Sequence, residues 1–221
     1  MVLLCIADIH GSRQKASGLD RVLAACPEAQ IIVVGGDITH LGGAEEAEKV
    51  LAPFLASGKR VLAVAGNMDR EGVGSFLRER GLDLHGHGVT VEGIGFHGLG
   101  GSNPTPFGTP FEVPPVEAKR LLEAGHAEIR AARFRVLISH APPKGTRLDR
   151  SFSGMHVGSE EVRAFIEASQ PDLCLSGHIH ESQGQDMLGK TLCVNTGAFK
   201  DGRYALVSIQ DGDITLTWRN T

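Results

Sequence analysis

At 221 residues and a formal net charge of −4, the chain has room for a full hydrophobic core and suits one α/β domain spanning 1–221. No Lys/Arg block is present, so electrostatics do not point to a nucleic-acid partner, which needs a basic surface. No apolar run approaches membrane-spanning length, and the short hydrophobic start lacks a basic leader, so it reads as a first strand rather than a signal peptide.

Five aliphatic runs, each rich in Val, Ile or Leu, end directly in Asp, His or Asn. The first is Leu3–Ala7, followed by Asp8 and His10. A helical stripe of Leu19, Val22 and Leu23 comes next, ending near Cys26 and Pro27. The run Ile31–Val34 leads through Gly35 and Gly36 into Asp37. Val50, Leu51, Phe54 and Leu55 form a second stripe, stopped by Gly58. Val61–Ala65 then reaches Gly66 and Asn67, and Val73, Phe76 and Leu77 form a third stripe closed by Gly81. This order predicts parallel strands joined by crossover helices, with ligands bound beyond the carboxyl ends of the strands.

From Leu84 the texture changes to short β runs, Val89–Glu92 and Ile94–Leu99. A Pro/Gly-rich loop, Gly100–Pro110, follows, and a helix is predicted between Val116 and Arg133. The fourth run, Val136–Ser139, ends in His140. Ser159 is a good N-cap for a helix that buries Val162, Phe165 and Ile166, with Glu160 and Glu161 in its first turn. The fifth run, Leu173–Ser176, leads to His178 and His180. Strands are predicted at Thr191–Val194, Tyr204–Ile209 and Ile214–Trp218, the last two joined by a hairpin at Gln210–Asp213.

The run ends supply a complete set of metal-ligand side chains. In extended chain, residues two apart point the same way, so Asp8-x-His10 and His178-x-His180 each aim two side chains into one pocket. The glycines before Asp37 and Asn67 let backbone pack closely there. An oxygen- and imidazole-rich set without thiolates suits Mn²⁺, Fe²⁺, Zn²⁺ or Ni²⁺. Two such ions leave the pocket locally positive, which suits an anionic substrate. A carboxylate bridging them holds the ions about 3.5–4 Å apart.

Asp8-x-His10, Gly36-Asp37, Gly66-Asn67-x-Asp69, Ser139-His140 and Gly177-His178-x-His180 resemble, in order, the motifs of the calcineurin-like metallophosphoesterase superfamily. The resemblance implies a four-layer αββα sandwich of two mixed β-sheets flanked by helices. It implies one ion, Mn²⁺ before Fe²⁺, Zn²⁺ or Ni²⁺, held by Asp8, His10, Asp37 and His180. A second is held by Asp37, Asn67, His140 and His178, with Asp37 bridging. The reaction implied is attack of a metal-bridging hydroxide on phosphorus, with Asp37, Asn67 and His140 as the catalytic group and Asn67 and His140 also meeting substrate.

One position departs from the pattern. Many members carry His after the Asn, where it assists the leaving group as an acid; here Met68 stands, and a thioether donates no proton. The chain therefore looks like the small prokaryotic branch that lacks this His and tends towards phosphodiesters. The expected function is a phosphodiesterase acting on a small or nucleotide-like diester. The alternatives are a phosphomonoesterase and a non-catalytic scaffold that keeps the fold.

His40 and His97 are candidate substitute acids, although His97, in an apolar run, reads more readily as a satisfied core histidine. His156 is a substrate-facing candidate, with a backbone-bonded loop histidine the more common alternative. Ser102 and Asn103 offer donors from the Gly100–Pro110 loop, which suits a substrate-shaping or a structural role equally. His85, His87 and His126 read as surface or turn residues, and Asn195-Thr196-Gly197 as a turn beside the pocket. Cys5, Cys26, Cys174 and Cys193 make no CxxC pair and read as reduced, buried thiols of a cytoplasmic protein. The expected partner is a small phosphoester, without a membrane, and no oligomeric state is implied.

Overall fold

The computed structural model describes residues 1–11 and 16–221. The first half alternates strand and helix: β1 (Val2–Ile6), α1 (Ala16–Ala25), β2 (Ile31–Gly35), α2 (Ala44–Ala56), β3 (Arg60–Val64) and α3 (Glu71–Glu79). Then come β4 (Gly88–Val91), β5 (Ile94–Leu99), α4 (Pro115–Glu128), β6 (Phe134–Ser139), α5 (Glu160–Ser169) and β7 (Leu173–Ser176). The chain closes with β8 (Gly184–Leu188), β9 (Thr191–Asn195), β10 (Arg203–Gln210) and β11 (Asp213–Asn220).

Two mixed sheets result, with strand orders β11-β10-β1-β2-β3 and β4-β5-β6-β7-β9-β8. Period-2 alternation sorts the side chains of each strand between two layers. Leu3, Cys5, Ile31, Val33, Leu62 and Val64 meet Phe96, Val136, Ile138, Leu173, Leu175 and Val194 between the sheets. The opposite faces carry the helices. Leu4, Ile6, Ile32 and Val34 pack against Leu19, Val50, Leu51, Phe54, Val73 and Phe76 of α1–α3. Leu137, Cys174 and Cys193 pack against Leu121, Leu122, Val162 and Phe165 of α4 and α5. This is the expected αββα arrangement. Strands β1, β2, β3, β6 and β7 are the five aliphatic runs, covered on both faces as continuous apolar runs in parallel sheets should be.

Local signals act as expected at two places. Ser159 caps α5, its Oγ accepting from Val162 N at 3.1 Å. Asp211 and Gly212 both take left-handed φ, 54° and 95°, and turn β10 into β11 as a two-residue hairpin. Two expectations change. The helix predicted to reach Arg133 stops at Glu128, because Ile129 and Ala132 turn the chain across the side-chain-free surface of Gly95 to enter β6. Edge strand β8 was missed because Gln185 and Asp186 give it a polar reading. Among the described residues no helix is long and apolar enough to cross a membrane, and all four cysteines are free and buried.

His97 lies fully buried on β5, edge-on to His126 of α4 and Phe165 of α5. It is a core histidine but not a satisfied one: neither ring nitrogen has a partner. His126 is correspondingly a helix residue packed on this cluster rather than a turn residue. Burial, with minor help from His126 and Arg135, pushes the His97 ring down to about 3. Its folded pKa thus lies below the unfolded value, so the stability present above pH 6.5 is lost as pH falls from 6.5 towards 3. His97→Phe removes this loss and the unpaired nitrogens. We expect urea denaturation to show the variant more stable by about 1 kcal/mol at pH 7 and by more at pH 5. An equal gap at both pH values would contradict this account of the ring.

Candidate metal centre

Five strand ends converge, and sharp turns rather than extended chain aim the side chains. Asp8, His10, Asp37 and His178 all adopt left-handed φ, at 54°, 45°, 49° and 68°. That conformation costs roughly 1 kcal/mol or more for each residue with a side chain. The expectation that Asp8/His10 and His178/His180 project together from extended chain is therefore corrected. Each turn is held by neighbouring backbone: Asp8 N donates to Gly36 O at 3.0 Å, His10 N to Asp37 O at 2.9 Å and Gly177 N to His140 O at 3.1 Å. Gly66 and Gly177 permit the close approach, since a Cβ at either would collide with the carboxylate of Asp37 or Asp8 respectively.

Two groups of donor atoms form. Asp8, His10 and His180 make one and Asp8, Asp37 and His140 the other, with the donor atoms in each within 4.8 Å of one another. His10 Nε2 lies 3.4 Å from His180 Nε2 and 3.5 Å from Asp37 Oδ2. His180 Nε2 lies 3.4 Å from Asp8 Oδ1, and His140 Nε2 lies 3.4 Å from Asp37 Oδ1 and 2.9 Å from Asn67 Oδ1. His178 stands at the edge of this set. Its ring lies 4.9 Å from that of His140 and its backbone N donates to Asp8 Oδ2 at 2.9 Å.

The donor chemistry fits divalent cations. His140 Nδ1 donates to Gly35 O at 2.8 Å, so in the neutral ring Nε2 is a bare lone pair. It faces the oxygens of Asn67 and Asp37, and lone pairs held against lone pairs call for a positive charge between them. Asp8 Oδ1, fully buried, has no hydrogen-bond partner. Buried polar atoms are rarely orphaned without a reason such as an ion.

Titration directions tell the same story. Burial, reinforced by the charge of Asp8, pushes Asp37 up to about 7 despite the opposing field of His140. Burial also acts to raise Asp8, but the imidazoles of His180, His140 and His10 outweigh it and hold that carboxyl below its ordinary value. Burial lowers His10 to about 4 and, with His140 nearby, lowers His178 to about 3. Both are thus neutral and metal-competent near neutral pH. His140 is the exception: burial would lower it, but Asp37 and Asp8 prevail and raise it. Without an ion, a proton on His140 is the cation available to those carboxylates.

The model of the calcineurin-like phosphoesterase family matches residues 1–182. The chain belongs to this family. An uncharacterised protein of Methanocaldococcus jannaschii is 36% identical over 200 residues, covering 88% of this chain and 87% of that protein. Among solved structures, a dimetal phosphatase from Danio rerio superposes with a TM-score of 0.72 at 14% identity, covering 100% of this chain and 96% of that one. An archaeal phosphodiesterase gives 0.57 at 12% identity, with 99% of each chain covered. At such identities these two superpositions speak for the fold alone.

Asp69, the last residue of the Gly66-Asn67-x-Asp69 family motif, received no sequence-based role, and it is a structural keystone. Fully buried, it accepts from Ile38 N, Thr39 N, Thr39 Oγ1 and Gly66 N at 2.7–3.1 Å. It thereby ties the turn after Asp37 to the turn carrying Asn67. Asn195 does similar work for the His178 turn, donating to Ile179 O at 2.9 Å and Leu148 O at 3.2 Å and accepting from Gly197 N. In the sequence Asp69 is legible only as the end of its motif and Asn195 only as part of a turn beside the pocket. The partners that show their tying roles, Ile38 and Thr39 for one and Leu148 and Ile179 for the other, are remote along the chain.

Of the substrate-facing candidates, Asn67 and His140 lie in the cluster. Ser102 is buried and its Oγ donates to Asn103 O, so its hydroxyl is spent within the loop. Asn103 lines a small pocket together with Ala141 and Glu161, with its Oδ1 buried and unpartnered. The Gly100–Pro110 loop is nevertheless rooted at the site, because the adjoining Phe111 N donates to Asn67 O at 3.1 Å. His156 bonds through Nδ1 to the buried carboxylate of Asp149 at 2.6 Å, not to backbone. His85 accepts from Gly100 N at 2.9 Å.

Proposed function

We propose that this family member is a two-metal phosphodiesterase acting on a small or nucleotide-like diester. The observation that carries the reading is the buried oxygen- and imidazole-rich cluster, set beside Met68 where many relatives keep an acid. In this reading Asp8, His10, Asp37 and His180 hold one divalent ion, and Asp37, Asn67, His140 and His178 hold the other. Ions bound there, Mn²⁺ first among Mn²⁺, Fe²⁺, Zn²⁺ and Ni²⁺, supply Lewis acidity, lower the pKa of water and neutralise phosphate charge.

The chain's own residues do the rest. His140, anchored to Gly35, keeps Nε2 aimed inward. Asp37, whose Oδ1 also accepts from Met68 N at 2.8 Å, is held in place and would be the carboxylate shared by the two ions. The burial of Asp8, Asp37, Asn67 and His140 strengthens the charge interactions among them. Met68 offers no proton, so leaving groups that depart as weak bases are favoured; the preference for a diester follows from the resemblance to the branch that lacks this His. Four free thiols suit a reducing, cytoplasmic setting.

The test is kcat/KM for bis(p-nitrophenyl) phosphate against p-nitrophenyl phosphate with Mn²⁺ present. We expect the diester to lead by about tenfold or more, a transition-state preference of roughly 1.4 kcal/mol. A lead for the monoester would replace the proposal with a phosphomonoesterase.

A further inference from the structure

If Met68 cannot assist the leaving group, another side chain must flank that place or none does. The loop after Asp37 brings one there. Thr39 is pinned by Asp69, its N and Oγ1 both donating to Oδ1 at 2.8 and 2.7 Å. Leu41, at a left-handed φ of 63°, donates its N to Met68 O at 2.9 Å. Between these fixed neighbours stands His40, an exposed residue. Its ring lies edge-on to that of His10, with centroids 5.4 Å apart, while His10 Nε2 faces inward to His180 and Asp37. His40 thus sets a solvent-exposed imidazole directly against a member of the cluster.

The other imidazoles outside the ligand set are committed elsewhere. His97 and His126 pack with Phe165 beneath α4 and α5. His85 is bonded to Gly100 N, His87 lies beside Glu128 of α4, and His156 is held by Asp149.

We propose that His40 contacts the leaving group and donates a hydrogen bond to its oxygen, the role Met68 cannot fill. The proposal rests on the phosphoesterase reading above. As the bond from phosphorus to the leaving oxygen breaks, the electron pair stays on that oxygen, and the His40 N–H meets the growing negative charge. A neutral imidazole keeps one N–H, so the donation requires no change of protonation. Stabilisation of this kind acts only as charge develops and appears in kcat rather than KM.

Methyl phenyl phosphate and methyl p-nitrophenyl phosphate share the retained group and differ in the basicity of the departing oxygen. With Mn²⁺-loaded protein, His40→Ala should lower cleavage of the phenyl ester by about 10²-fold and of the p-nitrophenyl ester by less than about tenfold, with KM little changed. His40→Gln retains an N–H donor and should recover part of the phenyl-ester rate. Both variants should bind as much Mn²⁺ as the wild type. Equal losses on the two esters, a change in KM alone, no loss, or loss of a bound ion would each overturn the role of His40 while leaving the phosphoesterase reading in place. A wild-type protein that binds Mn²⁺ yet cleaves neither ester overturns that reading, and the His40 proposal with it.

Discussion

Asp37→Asn is expected to lower kcat/KM for bis(p-nitrophenyl) phosphate by about 10³-fold or more without unfolding the protein. Asp37 lies within 3.5 Å of both His10 and His140 and is the carboxylate proposed to be shared between the ions, beside Asp8, which belongs to both donor groups. Asn keeps the shape and the contact with Met68 N, but it loses the charge that neutralises the cations. The metal-free protein reveals the same residue from the other side. Burial raises the Asp37 carboxyl from 3.8 to about 7. A group whose folded pKa lies above its unfolded value contributes stability below pH 3.8, and this is lost as pH rises towards 7. At pH 8 without metal, Asp37→Asn should therefore unfold at the same temperature as the wild type or a higher one. A variant that is inactive because it is unfolded would contradict this pairing of effects.

Asp69→Ala is expected to act in the opposite way, through the fold. The carboxylate satisfies donors from Ile38, Thr39 and Gly66 inside a sealed site. Its removal strands those donors away from water, at about 1–3 kcal/mol for each buried group left unpaired. With partial relaxation, a total on the order of 3–5 kcal/mol is expected, read as a Tm lower by about 10 °C. Activity should fall as well, because the turns bearing Asp37, His40 and Asn67 are referenced to this one side chain. A near-unchanged Tm would show that solvent or repacking satisfies the donors, and Asp69 would lose its place as the tie between the loops.

These contrasting residues mark how far the chain could be read before its structure was known. The five aliphatic runs became the strands β1, β2, β3, β6 and β7 because a strand covered on both faces reads as an unbroken apolar run. Their ends were equally legible, since Asp, His and Asn directly after such runs must fall on one edge of the sheets. The geometry of those ends was not. The left-handed turns at Asp8, His10, Asp37 and His178 are fixed by neighbouring strands, such as the Gly36 O that accepts from Asp8 N; Asp and His tolerate that conformation better than most residues, but this tolerance does not say which of them adopt it. Asp69 escaped for the same reason, its partners at Ile38 and Thr39 lying about thirty residues away. The unpaired nitrogens of His97 were invisible because the run Ile94–Leu99 says where a side chain is buried, not what faces it. Strand β8 was lost among polar residues at a sheet edge.

The metal centre is tested most directly by the number of Mn²⁺ ions bound per chain at equilibrium. Two ions are expected in the wild type, with at least one lost in Asp37→Asn. A wild-type protein that binds none, or whose binding is indifferent to Asp37, would contradict the assignment of this cluster as a two-metal site.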